Sequence, residues 1–303
     1  MNYKNIMIGT LILTAVILVG IFFPFLFIIL PIVLINLDNK LSFNEIFISF
    51  IIALMIVFLV FQMAPIIIFV FSYGIFNSIA LKYVYDKKKD PFESHGILAA
   101  TTLLSFIIFL ISLSVFYNVD ITNMFAQSID GGKSLIENEE FLQSMDIDFE
   151  DIVSQMQEII PFMLVFISVM NASIMYFLNR YIYKRMDKEV INIKPFRSFS
   201  LPRHFIYGMS FILVLSYISS KLMIVDFDSI SINVILMIIY LFSIQGAALL
   251  FYWLDRFNTN NILKGIILFV LILFQGMFLL AIAGWLDMIF NFRKNKSEWF
   301  YGW

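Results

Sequence analysis

The chain has 303 residues, 61% of them hydrophobic and 14% charged, with a net charge of −2 and no cysteine. Soluble domains run at roughly 45–50% hydrophobic and about 25% charged, so this composition excludes an ordinary soluble fold, and the near-neutral balance argues against a nucleic-acid partner. Disulfides, thiolate metal sites and a cysteine nucleophile are excluded, and two histidines cannot furnish a histidine-rich metal centre.

Apolar runs long enough to cross a bilayer recur along the whole chain. They predict an all-α polytopic transmembrane bundle of about eight spans, one transmembrane domain over 1–303, in the cell membrane. Lys4 precedes the first run, Ile6–Phe23, and no small-residue cleavage pattern follows it, so it reads as a retained first helix. Pro24 to Ile35 is short for a crossing and carries Pro24 and Pro31, which predicts a broken N-terminal segment packed inside the bundle, where protein can satisfy its irregular backbone. Glu45 to about Tyr83 is too long for one crossing at ~1.5 Å per residue, and Gln62-Met63-Ala64-Pro65 marks a turn between two spans. Lys82, Lys87, Lys88 and Lys89 place the next loop in the cytoplasm, and Ile97–Tyr117 returns across.

Residues 118–158 hold ten acidic side chains against the single basic Lys133, the signature of an extracytoplasmic loop. Met145, Phe149, Ile152, Met156 and Ile159 recur there at helical spacing, which predicts an amphipathic helix. The run Asp146 to Asp151 lacks the glycine and closing glutamate of a calcium loop. Ile159–Tyr183 crosses next, and the basic loop 184–204 belongs in the cytoplasm. Spans of about Phe205–Val225, Ile230–Trp253 and Ile262–Leu286 follow. Counting crossings in this way puts Arg293, Lys294 and Lys296 outside, where such charges are disfavoured, so either the last segment does not cross fully or the rule fails there.

Acidic residues fall at helix ends, with Asp287 at the boundary of the last span. The polar residues at depth are neutral: Asn77, Asn171, Gln245 and Gln275, with Thr101, Ser105 and Ser112 on one helix face. Neutral amides suit an uncharged small-molecule ligand, and they also bridge helices in membrane bundles. Gln245-Gly246 and Gln275-Gly276 recur on successive predicted helices and suggest a shared polar pocket. Arg185, Lys188 and Arg197 are candidates for docking a partner protein. The phosphate-binding, nucleophile-elbow and zinc-protease signatures are absent, so catalytic residues, cofactor and metal are each read as none and the chain is not read as an enzyme.

Three stretches carry a family resemblance. They are Asn179-Arg180-Tyr181 through Lys184-Arg185-Met186 to Pro195-Phe196 and Ser200-Leu201-Pro202; Gln245-Gly246-Ala247-Ala248; and Gly284-Trp285-Leu286-Asp287 with Phe292-Arg293-Lys294. In this order, with Pro24 and Pro31, they resemble the YybS-like family of uncharacterised bacterial membrane proteins. Members of that family are distantly similar to the substrate-binding subunits of energy-coupling-factor transporters, a kinship that implies uptake with a borrowed ATPase partner. Members also stand beside a membrane-bound cyclic-dinucleotide phosphodiesterase, which implies a regulatory partner. The leading reading is therefore a transport-related substrate-binding subunit in a lipid bilayer. The alternative is a non-transporting scaffold or regulator that docks a partner protein.

Overall fold

The computed structural model describes residues 2–38, 40–118, 156–202, 204–222, 227–274 and 276–293. Nearly all of the acidic loop lies outside them, with its expected amphipathic helix and the Asp146 to Asp151 run, and so does Gln275. Every regular element among the described residues is helical. The chain divides into two compact units, Met1–Ile191 and Asn192–Trp303, within what the sequence reading treats as one transmembrane domain.

In the first unit, α1 (Tyr3–Phe22) starts where the Asn2 side chain accepts the Lys4 N–H, and it buries Ile6, Gly9, Leu13, Ile17 and Gly20 along one stripe. It stops at Phe23, because a residue before proline is driven out of helical geometry. A 3₁₀ turn, Pro24–Ile28, and the short α2 (Ile29–Leu37) follow. A Cβ on Gly20 would lie 2.6 Å from the Phe27 ring, so the missing side chain is what lets this broken segment fold back over α1. Its inner face, Leu30, Pro31, Ile32, Leu34 and Ile35, is buried as expected.

A capping box between Ser42 and Glu45 opens α3 (Phe43–Phe61). Gln62, at φ 54°, closes it, and Pro65 sits in the first turn of α4 (Ala64–Asp86), so the chain turns where the sequence places the break between two spans. The Asp90 carboxylate caps α5 (Pro91–Tyr117), and α6 (Ile160–Arg185) runs to the basic loop. Leu13, Ile17, Leu30, Phe50, Val57, Val70 and Tyr73 form the core of this unit.

The second unit contains a 3₁₀ turn, Phe196–Ser198, and helices α7 (His204–Lys221), α8 (Phe227–Arg256), α9 (Asn261–Leu273) and α10 (Met277–Phe290). Helices α8 and α10 run antiparallel in close contact. A Cβ on Gly246 would overlap the Leu280 carbonyl, and one on Gly284 would overlap the Phe242 carbonyl, so only glycine at both positions allows this backbone approach.

Six described helices are long and apolar enough to cross a membrane, and the count reaches seven if α9 and α10 make one bent span. The chain is a multi-pass α-helical membrane protein. The last segment, expected to span from about Ile262 to Leu286, is broken in two: α9 and α10 are bent by 113°. The break falls at Gly276, whose N–H reaches the Leu271 carbonyl at 2.7 Å in a turn too tight for a side chain.

Candidate functional sites

The first unit carries a half-open cavity of about 690 Å³, within the range of small-molecule sites. The proline break delivers Pro24 and Phe27 to its wall, α4 supplies Phe69, α5 supplies Phe106, and α6 supplies Phe166 and Asn171. The lining is almost wholly apolar. Its polar feature is a hydrogen bond of 2.6 Å in which the buried Tyr73 hydroxyl donates to Asn171 Oδ1. This bond leaves the Asn171 amide N–H groups without a protein partner among the described residues. Chemically, the cavity accepts an apolar body that carries one hydrogen-bond acceptor.

Asn77 is fully buried but bridges helices instead of facing this cavity. Its Nδ2 donates to the Tyr73 carbonyl at 3.0 Å, and its Oδ1 accepts from Thr101 at 2.9 Å and Thr102 at 2.8 Å, which ties α4 to α5. Ser105 and Ser112 donate to carbonyls of their own helix. Gln245 lies in the second unit, and Gln275 lies outside the described residues. Within the first unit, Asn171 lines the cavity and Asn77 does not.

Gln245 is 1% exposed and belongs to a charged network. Its Oε1 accepts the Leu201 N–H at 3.1 Å, and its Nε2 donates at 3.1 Å to Asp287, which is 3% exposed. Arg293 pairs with the same Asp287 oxygen through Nε, at 3.0 Å, and through Nη2. Its Nη1 donates to the carbonyls of Arg197 and Phe199. Nearby, Asp255 accepts from Arg197 at 2.7 Å and from the buried Lys264. Arg293 and the basic loop thus meet at one place, although crossing counts separate them.

Asp287, which the sequence places at the boundary of the last span, is buried and ion-paired. Sequence signals for this network existed in Asp287 with Arg293 six positions later and in Asp255 with Lys264 nine positions later. Neither spacing is a helical neighbour spacing, so the pairs became legible only once the turns were built. The stretches that carry the family resemblance supply most of this network: Leu201, the crossing glycines Gly246 and Gly284, and Gln245, Asp287 and Arg293.

Of the docking candidates, Arg185 stacks over Tyr181 at 4.7 Å, Lys188 lies over Tyr183 at 4.4 Å, and Arg197 is ion-paired to Asp255. Lys88 pairs with Glu189 at 2.6 Å and holds that carboxyl below its usual range.

The model of a family described as "Predicted membrane protein (DUF2232)" matches residues 7–288. No curated protein and no solved structure matches.

Proposed function

The chain belongs to the DUF2232 family of predicted membrane proteins, and on that premise we propose that it is a membrane-embedded, transport-related binding subunit for a small, mainly apolar molecule. The cavity of the first unit is the binding site. It works by capture, without bond chemistry and without a cofactor. The observation that carries this reading is the half-open, largely apolar cavity of about 690 Å³ with an amide donor left over at Asn171, walled on one side by the broken segment Pro24–Leu37. Broken helices place irregular backbone beside a binding site in many transporters. A ligand oxygen would give the half-buried Asn171 amide a hydrogen bond worth about 0.5–1.5 kcal/mol net.

The test is thermal stabilisation of the detergent-purified protein by a library of apolar, carbonyl- or hydroxyl-bearing small molecules, vitamins included. At least one class should raise the unfolding midpoint. Asn171→Leu should remove that response, and it should also lower the unliganded midpoint, because the buried Tyr73 hydroxyl loses its acceptor. A library without a stabilising member, or one whose hits act equally on Asn171→Leu, would refute the reading.

The competing reading is a scaffold or regulator that docks a partner protein on the basic loop. Arg185 is exposed and open to a partner, whereas Arg197 already holds Asp255. A pull-down whose partner set changes with Arg185→Gln, in a protein that ignores the ligand library, would favour that reading.

A further inference from the structure

The second unit carries a crevice of about 490 Å³ that the proposed ligand site does not use. Its floor is made by Gln245 and Asp287, both buried, and its mouth by Arg197, Ser200, Asn291 and Arg293. Three cations, Arg197, Arg293 and Lys264, face two carboxylates, Asp255 and Asp287, through the ion pairs between them. One positive charge is left without a counter-charge in this cluster.

The unused hydrogen-bonding capacity at the mouth is donor-rich. The Ser200 hydroxyl and the Asn291 amide have no protein partner among the described residues, and Arg197 commits Nη1 alone to Asp255. Arg293 lies directly against Asp287 Oδ2 and offsets its charge toward an incoming anion, while Asp287 Oδ1 is buried without a hydrogen-bond partner among the described residues.

We propose that this crevice binds a phosphate-ester monoanion, whose single charge balances the excess and whose oxygens take the free donors of Arg197, Ser200 and Asn291. Guanidinium and hydroxyl donors suit phosphate oxygens in geometry as well as in charge. The shared chemistry is that of an anionic phospholipid headgroup and of a free phosphate. The basic loop marks the cytoplasmic face, where anionic lipids are available.

The experiment uses the full chain, delipidated in neutral detergent, with two readouts: native mass spectrometry of bound lipid and the thermal unfolding midpoint. Phosphatidylglycerol should be retained about tenfold more strongly than phosphatidylcholine, and it should raise the midpoint. If inorganic phosphate at millimolar concentration reproduces the stabilisation and displaces the lipid, the site takes free phosphate. Lipid retention without a phosphate effect assigns the headgroup.

Ser200→Ala with Asn291→Gly removes two donors and no protein hydrogen bond, and glycine suits the φ of 52° at position 291. This variant should keep the parent's midpoint in neutral detergent and lose most of the preference; Arg197→Gln, which also breaks the ion pair to Asp255, should likewise lose most of the preference. Equal retention of the two lipids with no response to phosphate would overturn the proposal. So would an undiminished preference in the double variant.

Discussion

Arg293 is the residue whose replacement tests the buried network most directly. Its side chain is 11% exposed and that of Asp287 is 2% exposed, so the pair is largely withdrawn from solvent. At the 3.0 Å separation of Nε from Oδ2, an effective dielectric of about 20 gives an attraction of ~5 kcal/mol. Desolvation of both ions offsets much of it. Arg293→Met removes the cation, leaves Asp287 charged with only the Gln245 amide beside it, and frees the carbonyls of Arg197 and Phe199. The expected loss is about 3–5 kcal/mol.

Asp287→Leu leaves the arginine with its two carbonyl acceptors and some access to water, at a cost of about 1–3 kcal/mol. The double variant removes both charges and should recover much of the loss, because apolar groups of similar size often replace a buried pair with little change. A coupling energy of about 2–3 kcal/mol is expected. The assay is reversible unfolding in mixed micelles, followed by the fluorescence of Trp253 on α8 and Trp285 on α10. Single losses that add to the double within ~0.5 kcal/mol would refute the reasoning.

Gly246→Ala should cost at least about 2 kcal/mol, since its methyl would overlap the Leu280 carbonyl and force α8 and α10 apart. Gly96→Ala in α5 meets nothing within 4 Å and should be neutral or stabilising by up to ~1 kcal/mol, so equal thermal shifts for the two would contradict the close crossing. Asn77→Leu should destabilise by about 2 kcal/mol through its three lost hydrogen bonds. It should leave ligand stabilisation intact in the refolded fraction, because Asn77 does not line the cavity. The Glu189 carboxyl is depressed by Lys88, so the pair stabilises above the ordinary pKa of 4.5 and is lost as pH falls below it. Both groups are exposed, so Glu189→Gln should lower the neutral-pH midpoint only slightly, and the gap should close at acid pH or high salt.

Much of the fold was legible because lipid writes one-dimensional rules. Uninterrupted apolar length marked the spans, Pro24 marked the end of α1, and Gln62 to Pro65 marked the turn into α4, since these act through local backbone chemistry. The bend within the last segment was not legible for a local reason: hydropathy runs continuously from Ile262 to Leu286, and the backbone turn at Gly276 carries no hydropathy signal.

The candidate sites were legible only in part. Asn171, Asn77 and Gln245 stood out equally as amides in apolar sequence. Helix rotation and neighbours then gave them three different roles: Asn171 opens on a cavity, Asn77 joins two helices, and Gln245 supports a buried ion pair. By itself, the sequence determined the solvent of this protein and most of its helices, because burial in hydrocarbon depends on composition summed along each helix. Only the tertiary structure decided which polar groups meet, because Asp287 reaches Arg293 and Gln245 through a turn and a glycine crossing that bring together residues remote in sequence.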